Sequence, residues 1–488
     1  MTGRADAIRP KQQLPRTAGG IFMGNVLKRL IGRLGVWGVV FLAFGFVLML
    51  LVVLLAGRWM QASRRVEAEL ARIREAGEPV TPDDLKQYCP VGPEEEDTTD
   101  LWLDGVGALD TPEFPNDARP LPVVGENQAK IPLPGEPWPQ LGAAEKLLAQ
   151  YGRGLDLLHQ AADQGGAARY RLDLIPLDPT LLDQVQSLRG GARLLTLEAN
   201  VRAHRGDLHG AADSIHAMHR LARSLEREPL MMPQLTRVAI AGQARDQLRR
   251  LLDSVDLADD DLDRLQQDLR ASDAKETLRL GMLGERVAGI QQFDGPDFGG
   301  AGRGSLFFQV TQRGSFLEFL QFWDKMIRAT EEPWPEALEA FKVAGQQAQG
   351  KAQGGVSPGQ IGRVLTALLV PAVDAFTAAT ARDAAMNRAT DAAIACERYR
   401  RRHGKLPQSL EELVPEFLPK VPSDPFDGEP LRYAVTGDGY LVYSVGPDGT
   451  HHGGRGDETG QPDLVFRVQR SSEANRPSDQ RPTTTFPN

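Results

Sequence analysis

The chain has 488 residues, of which 41% are hydrophobic and 25% charged, and its net charge is −9. This length allows two or three domains, and the composition excludes a wholly disordered chain. The acidic balance argues against a nucleic-acid partner, which requires a basic face. The two cysteines, Cys89 and Cys396, are too few for a disulfide scaffold or a Cys-rich zinc site. One long-range disulfide and a pair of free thiols both remain open.

Residues 34–57 form an uncharged, apolar run between Arg33 and Arg58. As a helix with a rise of about 1.5 Å per residue, the run is long enough to cross the ~30 Å hydrocarbon core of a membrane. It is longer than the apolar core of a cleaved signal peptide, about 7–15 residues, so we expect a retained transmembrane helix. Basic residues early in the chain predict that residues 1–33 are a cytoplasmic leader. The C-terminal part is then expected outside the cytoplasmic (inner) membrane.

Composition divides the next part of the chain in two. Residues 58–140 begin as an amphipathic stalk and become rich in Pro, Gly and acid, which predicts a loop or extended linker laid over the next domain. Residues 141–344 follow a helical period, which predicts a domain of antiparallel helical hairpins. One hairpin, around Ala199, Gly206 and Ala211, resembles a tetratricopeptide unit. Because no second copy follows at a fixed period, a helical repeat remains a hypothesis.

The C-terminal part predicts a small mixed domain. Residues 345–360 are rich in Gly and Gln and predict a flexible linker, residues 361–468 the domain itself, and residues 469–488 a disordered tail. Within the domain we expect one long helix over 365–402 and three strands, at 431–435, 440–445 and 464–468. The predicted fold class is therefore α+β and mostly α. Its parts are an N-terminal transmembrane helix, a helical-hairpin domain, and a C-terminal long helix packed on a small antiparallel sheet.

A series of short motifs follows along this C-terminal region. In order they are Val370-Pro371, Tyr399 near the predicted helix end, Pro407, Ser-Asp-Pro-Phe-Asp-Gly at 423–428, Ser-Val-Gly-Pro-Asp-Gly at 444–449, and Asp463-Leu464. This order resembles the major pseudopilin of bacterial type II secretion systems, a relative of the type IV pilins. The resemblance implies a role in envelope assembly or binding. The membrane run lacks the prepilin cleavage signature of that family, so we expect the mature chain to keep its N-terminus.

An acidic, glycine-rich loop between the last two predicted strands is the best candidate site. Its candidate ligands are Ser444, Asp448, Asp457 and Asp463. Hard oxygen ligands on a flexible backbone suit Ca²⁺, and pseudopilins that this region resembles bind calcium in the corresponding loop. The alternative is an ordinary turn in which the Asp side chains accept hydrogen bonds from the backbone. Calcium is thus the one cofactor that the sequence predicts.

Two other motifs are better explained structurally. Residues 355–359 match the Gly-x-Ser-x-Gly pattern of hydrolases, but no strand precedes Ser357, so we interpret the stretch as linker. His216 and His219 share a helix face and could bind a metal, but their position off the apolar stripe predicts a solvated face.

These observations predict a single-pass envelope protein that is not an enzyme. The expected role is protein–protein interaction or assembly related to secretion, with the membrane and other envelope proteins as partners. Self-association remains open. The alternatives are a membrane-anchored enzyme and a helical adaptor of unknown substrate.

Overall fold

A computed structural model describes residues 19–89, 97–166, 168–170, 179–294, 306–352, 361–455 and 463–470. These residues are mostly helical and include a three-stranded antiparallel sheet, which confirms the predicted fold class at that level. The helices are α1 (Gly19–Glu75), α2 (Pro82–Tyr88), α3 (Thr99–Gly107), α4 (Phe114–Ala118), α5 (Leu141–Gln150), α6 (Gly152–Gln164), α7 (Pro179–His204), α8 (Leu208–Arg223), α9 (Met231–Ser254), α10 (Asp259–Arg270), α11 (Ala274–Asp294), α12 (Leu306–Ala329), α13 (Trp334–Ala352) and α14 (Ile361–His403). The strands are β1 (Arg432–Thr436), β2 (Gly439–Ser444) and β3 (Leu464–Gln469).

Helix α1 contains the predicted membrane run and continues well beyond it. Among the described residues, it is the one helix long and apolar enough to cross a membrane, and its large apolar side chains from Val40 to Leu54 are exposed. One surface of the same helix then becomes buried, at Val66 and Ile73, where α1 packs on α12. The apolar segment and the folded body are therefore joined by unbroken helix.

The proline-rich stretch predicted as an extended linker lies over the body and contains helices. It includes α2, α3 and α4, and it buries Trp102, Leu121 and Trp138. Helix α2 begins at a capping box: Thr81 accepts from the backbone N–H of Asp84, whose carboxylate accepts in turn from the N–H of Thr81. This stretch rich in Pro and Gly therefore contains helices and buried side chains that its composition did not predict.

The other predicted linker also differs from expectation. Residues 345–352 continue α13 as helix, while residues 353–360, including Ser357, lie outside the described part of the chain. Ala and Gln are compatible with helix, and Ala344 and Ala348 pack in an apolar cluster with Val370 of α14. The helix persists because one of its faces is buried.

Two apolar clusters form the core, and α14 belongs to both. The first, around Phe319, Trp323 and Phe341, receives Val370 to Ala384 from the N-terminal half of α14. The second runs from Trp102 to Val468 and receives Ala389 to Tyr399 from the C-terminal half. Pro371 lies within the helix without ending it. The long helix predicted to open the C-terminal domain is thus also a core element of the helical body.

The sheet has the order β1-β2-β3 and packs on the C-terminal half of α14. All of β2 is buried, and the Tyr440 hydroxyl donates to the carbonyl of Ala393 on α14 at 3.0 Å. Small residues such as Ala389 and Ala393 on the helix allow this close approach. The three predicted strands are confirmed to within one residue at each end.

Candidate functional site

The turn at residues 423–428 is tied to the end of β2 through the buried carboxylate of Asp424. Its Oδ1 accepts from the Ser444 hydroxyl at 2.8 Å, and its Oδ2 accepts from the backbone N–H of Val445 at 2.8 Å. Arg432 on β1 donates to the same Oδ2 at 2.9 Å. The Asp424 side chain therefore joins one turn and two strands by accepting hydrogen bonds. Sequence reasoning noted this turn but assigned no role to Asp424.

Asp463, just before β3, is a second buried carboxylate that accepts backbone hydrogen bonds, in this case from the loop after β2. Its carboxylate is buried and accepts from the backbone N–H of Gly454 at 2.7 Å and from that of His452 at 3.2 Å. The His452 ring lies between two carboxylates, with Nδ1 3.7 Å from Asp463 Oδ1 and Nε2 3.8 Å from Asp448 Oδ2. The loop thus brings Asp448 and Asp463 to opposite sides of one imidazole.

The four predicted calcium ligands are only partly brought together. Asp448 and Asp463 meet at His452, the Ser444 hydroxyl is directed at Asp424, and Asp457 lies outside the described residues. Ca²⁺ takes about 6–8 oxygen ligands, so the described side chains do not complete a coordination shell. No cluster of three or more His, Cys, Asp or Glu suited to a metal occurs among the residues that the structure describes.

The histidine pair on α8 is less solvated than predicted. His219 is only 4% exposed, and burial lowers its pKa to about 4. His216 Nδ1 lies 2.6 Å from Asp268 Oδ2 on α10. The prediction of a solvated face is wrong because α10 packs across α8 and covers it. These side chains serve helix packing, and in the described structure each imidazole faces protein.

Buried ion pairs connect α14 and β3 to the helical body. Asp383 on α14 accepts from Arg245 on α9 at 2.6 Å, and Arg237 Nη2 lies 3.4 Å from the same carboxylate. Near the other end of α14, Glu397 is paired with Arg470 at 2.5 Å. A charge removed from water costs several kcal/mol unless it is paired, so these contacts fix the packing of α14 strongly. One weak indication of these pairs is present in the sequence, a polar series at Thr380, Asp383 and Asn387 on an otherwise Ala-rich helix.

Asp256, before α10, shows the electrostatic effect of this pairing. Burial by itself raises its pKa, but Arg400 and Arg470 outweigh that effect and hold the pKa of Asp256 at about 2. Arg398, beside them, pairs with Asp259 at 3.0 Å. The basic run at the end of α14 therefore forms ion pairs within the protein, through Arg398 with Asp259 and through Arg400 with Asp256.

Both cysteines are buried and free, so the two-thiol alternative is confirmed. Burial raises the pKa of the Cys89 thiol to about 11, which keeps it protonated and unreactive at neutral pH. Cys396 lies on α14, in the core, and burial raises its pKa as well. Neither thiol has the environment of a nucleophile.

The chain matches no protein-family model, and comparison with curated proteins and with solved structures finds no significant match. The geometry of the chain itself therefore carries the functional argument.

Proposed function

We propose that this is a single-pass envelope protein that holds an α+β head at a fixed position relative to the membrane for assembly with other envelope proteins. The observation that carries the proposal is the continuity of α1. The helix passes from an exposed apolar segment to buried contacts at Val66 and Ile73 without a break. Its orientation, with the body outside the cytoplasm, belongs to the proposal and rests on the basic leader.

Ion pairs support a rigid connection between the membrane segment and the body. Arg72 on α1 lies 2.7 Å from Asp324 on α12. Just after α1, Glu78 accepts from Arg286 at 2.7 Å, and the Arg286 side chain is fully buried. Because flexible tethers do not need buried charge pairs at their base, this arrangement favours a positioned domain over a loosely attached one.

The proposed setting is secretion-related, and the pseudopilin resemblance supports it. The resembling region folds as a long helix on a three-stranded antiparallel sheet, with the two motif turns joined through Asp424. The proposed partners are envelope proteins of such machinery, with a second copy of this chain as another candidate. The membrane-anchored enzyme is not favoured by any contact described above.

Site-specific photo-crosslinking in cells tests this function. We expect a crosslinker replacing Val435, 54% exposed on β1, to give adducts with pseudopilins or other secretion-machinery components. Met232, 38% exposed on α9, is the matched position on the helical body. Adducts from Met232 without any from Val435 would favour the helical-adaptor alternative. If neither position gives an adduct with an envelope protein, the assembly function is wrong.

We further propose that Ca²⁺ binds in the loop after β2. Among the described residues, Asp448 and Asp463 would be the ligands. The ion would compete for them with the His452 ring, which lies between the two carboxylates. Asp457 and Ser444 remain predicted ligands, and backbone carbonyls and water would supply the other oxygens. What supports the proposal is that Asp448 and Asp463, which are distant in the sequence of the loop, lie on opposite sides of one imidazole ring.

A further inference from the structure

A cavity of about 120 Å³ lies between the start of α3, the end of α6 and the end of α8. Its lining is mostly polar and includes Arg220, Arg223, Glu226 and Arg227, with Trp102 as an apolar wall. One ordered water needs only about 10–15 Å³ of such space, so the cavity has room for a ligand of several non-hydrogen atoms. It lies apart from the C-terminal loop, and the proposed function makes no use of it.

The charge on the lining is strongly positive, with three guanidinium groups against one carboxylate. Arg223 Nε lies 3.6 Å from Glu226 Oε2, which is too far for a good hydrogen bond. Among the described residues, Arg223 Nε and Glu226 Oε1 are both buried without a hydrogen-bond partner. Such groups cost free energy unless something satisfies them: Arg223 Nε needs an acceptor oxygen, and Glu226 Oε1 needs a donor such as a phosphate hydroxyl.

Arg220 lines the cavity, and its guanidinium lies next to Gly165. It is half-buried, and no hydrogen bond or ion pair joins it to any residue in the described part of the chain. Gly165 lies against its guanidinium: a Cβ at this position would lie 2.6 Å from Nη2, and the φ of +71° also favours glycine. The absence of a side chain at Gly165 thus leaves room for the guanidinium of Arg220.

We propose that this cavity binds a small phosphate group, either as free phosphate or as a phosphoester. The planar fork of arginine matches two phosphate oxygens at once, and several arginines around one cavity provide the donors that a dianion requires. The volume and the mostly polar lining fit a small phosphate-bearing ligand. Glu226 faces the same cavity, but the three arginines outnumber it, so the net charge of the lining favours a compact anion over a cation.

Calorimetric titration of the full-length protein in detergent with inorganic phosphate, at constant ionic strength, tests the proposal. We expect saturable binding that Arg220→Gln weakens about tenfold, the loss expected for one charge-assisted contact. Arg220→Lys keeps the charge but loses the planar fork, so its affinity for phosphate should lie between those of the wild type and Arg220→Gln. Arg193→Gln is the matched control, because it removes the same charge from an exposed position on α7 and should bind like the wild type.

Thermal unfolding without phosphate shows whether Arg220→Gln is folded, and Arg223→Gln replaces it if it is not. A parallel titration with glycerol 3-phosphate distinguishes the two sources. Tighter binding of the ester assigns a phosphoester ligand, and equal or weaker binding assigns free phosphate. If neither compound binds, or if Arg220→Gln and Arg223→Gln both bind like the wild type, the site is overturned. The envelope function, which rests on α1, is unaffected by that result.

Discussion

His219 shows how strongly packing changes the chemistry of one side chain. It is buried on α8 near Asp268, Arg245, His216 and Asp383, and its pKa is lowered to about 4, chiefly by burial. The ordinary value for histidine is about 6.5, so the folded state excludes a proton that the unfolded chain binds. A neutral, buried imidazole of this kind makes stability depend on pH.

Stability should therefore fall as the pH is lowered from about 6.5 towards 4, because the unfolded state binds more protons in that window. The full contribution is present above pH 6.5. The lowering of the His219 pKa from about 6.5 to about 4 corresponds to a contribution of about 3 kcal/mol to the free energy of unfolding. His219→Leu should remove this part of the pH dependence in denaturant titrations between pH 4 and 7. The exposed His403→Leu is the control, and equal pH slopes for wild type and His219→Leu would contradict the prediction.

The carboxylates of the C-terminal loop carry the calcium prediction. If Ca²⁺ binds only the folded state, saturation at 100 times the Kd should stabilise the protein by about 2.7 kcal/mol. The full-length protein should then melt at a higher temperature in calcium than in chelator. Asp448→Asn should abolish most of the difference, whereas Asp156→Asn, exposed on α6, should retain it. Identical melting in calcium and chelator would assign the loop as a plain hydrogen-bonded turn.

At the scale of elements, glycines determine how closely α11 approaches its neighbours. A Cβ at Gly284 would lie 1.4 Å from the carbonyl oxygen of Pro229, and one at Gly289 would lie 2.1 Å from the Phe319 ring. A ring can move, but a backbone carbonyl moves only with its segment. Gly284 is therefore the position where α11 tolerates no side chain.

We expect Gly284→Ala to destabilise the protein by about 3 kcal/mol, the upper part of the usual range for overpacking. Gly314→Ala, on α12, meets no atom within 4 Å and should instead stabilise by up to about 1 kcal/mol, because alanine favours helix. Chemical denaturation of both variants beside the wild type measures the contrast. Equal effects of the two substitutions would show that the α11 contact with Pro229 is not tight.

At the scale of the whole molecule, α1 and α14 decide the organisation. Helix α1 joins the apolar segment to the core around Trp323, and α14 passes from that core to the one beneath the sheet. The ion pair of Glu397 with Arg470 then fixes the last strand to the same helix. Head and body are thus built around shared helices, so we expect the molecule to respond to load as one unit.

Topology is the prediction at this scale. The basic residues before the apolar segment predict a cytoplasmic N-terminus and a C-terminal part outside. A reporter that is active only outside the cytoplasm should therefore be active when fused after Asn488. The same reporter fused before residue 34 should be silent. Activity of a cytoplasm-dependent reporter after Asn488 would reverse the orientation.

The sequence by itself determined the apolar segment, the helical body, the long helix and the three strands. These features depend on hydropathy and periodicity within short windows, which the order of residues specifies directly. It also identified Asp448 and Asp463 as neighbours in one loop, since the two strands that flank the loop bring its ends together. It did not show that residues 345–352 are helical or that the proline-rich stretch contains helices with buried side chains, because both depend on what packs against them.

Only the tertiary structure decided which charged residues are buried and which residues they form ion pairs with. Arg245 and Asp383 are 138 residues apart, and Glu397 and Arg470 are 73 apart, so no local pattern marks them as partners. The arginine cavity arises in the same way, from α3, α6 and α8 meeting at one point. Burial is a property of the assembled helices, and it changes the free energy of a charge by several kcal/mol. The folded arrangement thus sets the chemistry of these side chains, while the local sequence pattern sets the long helices and the three strands.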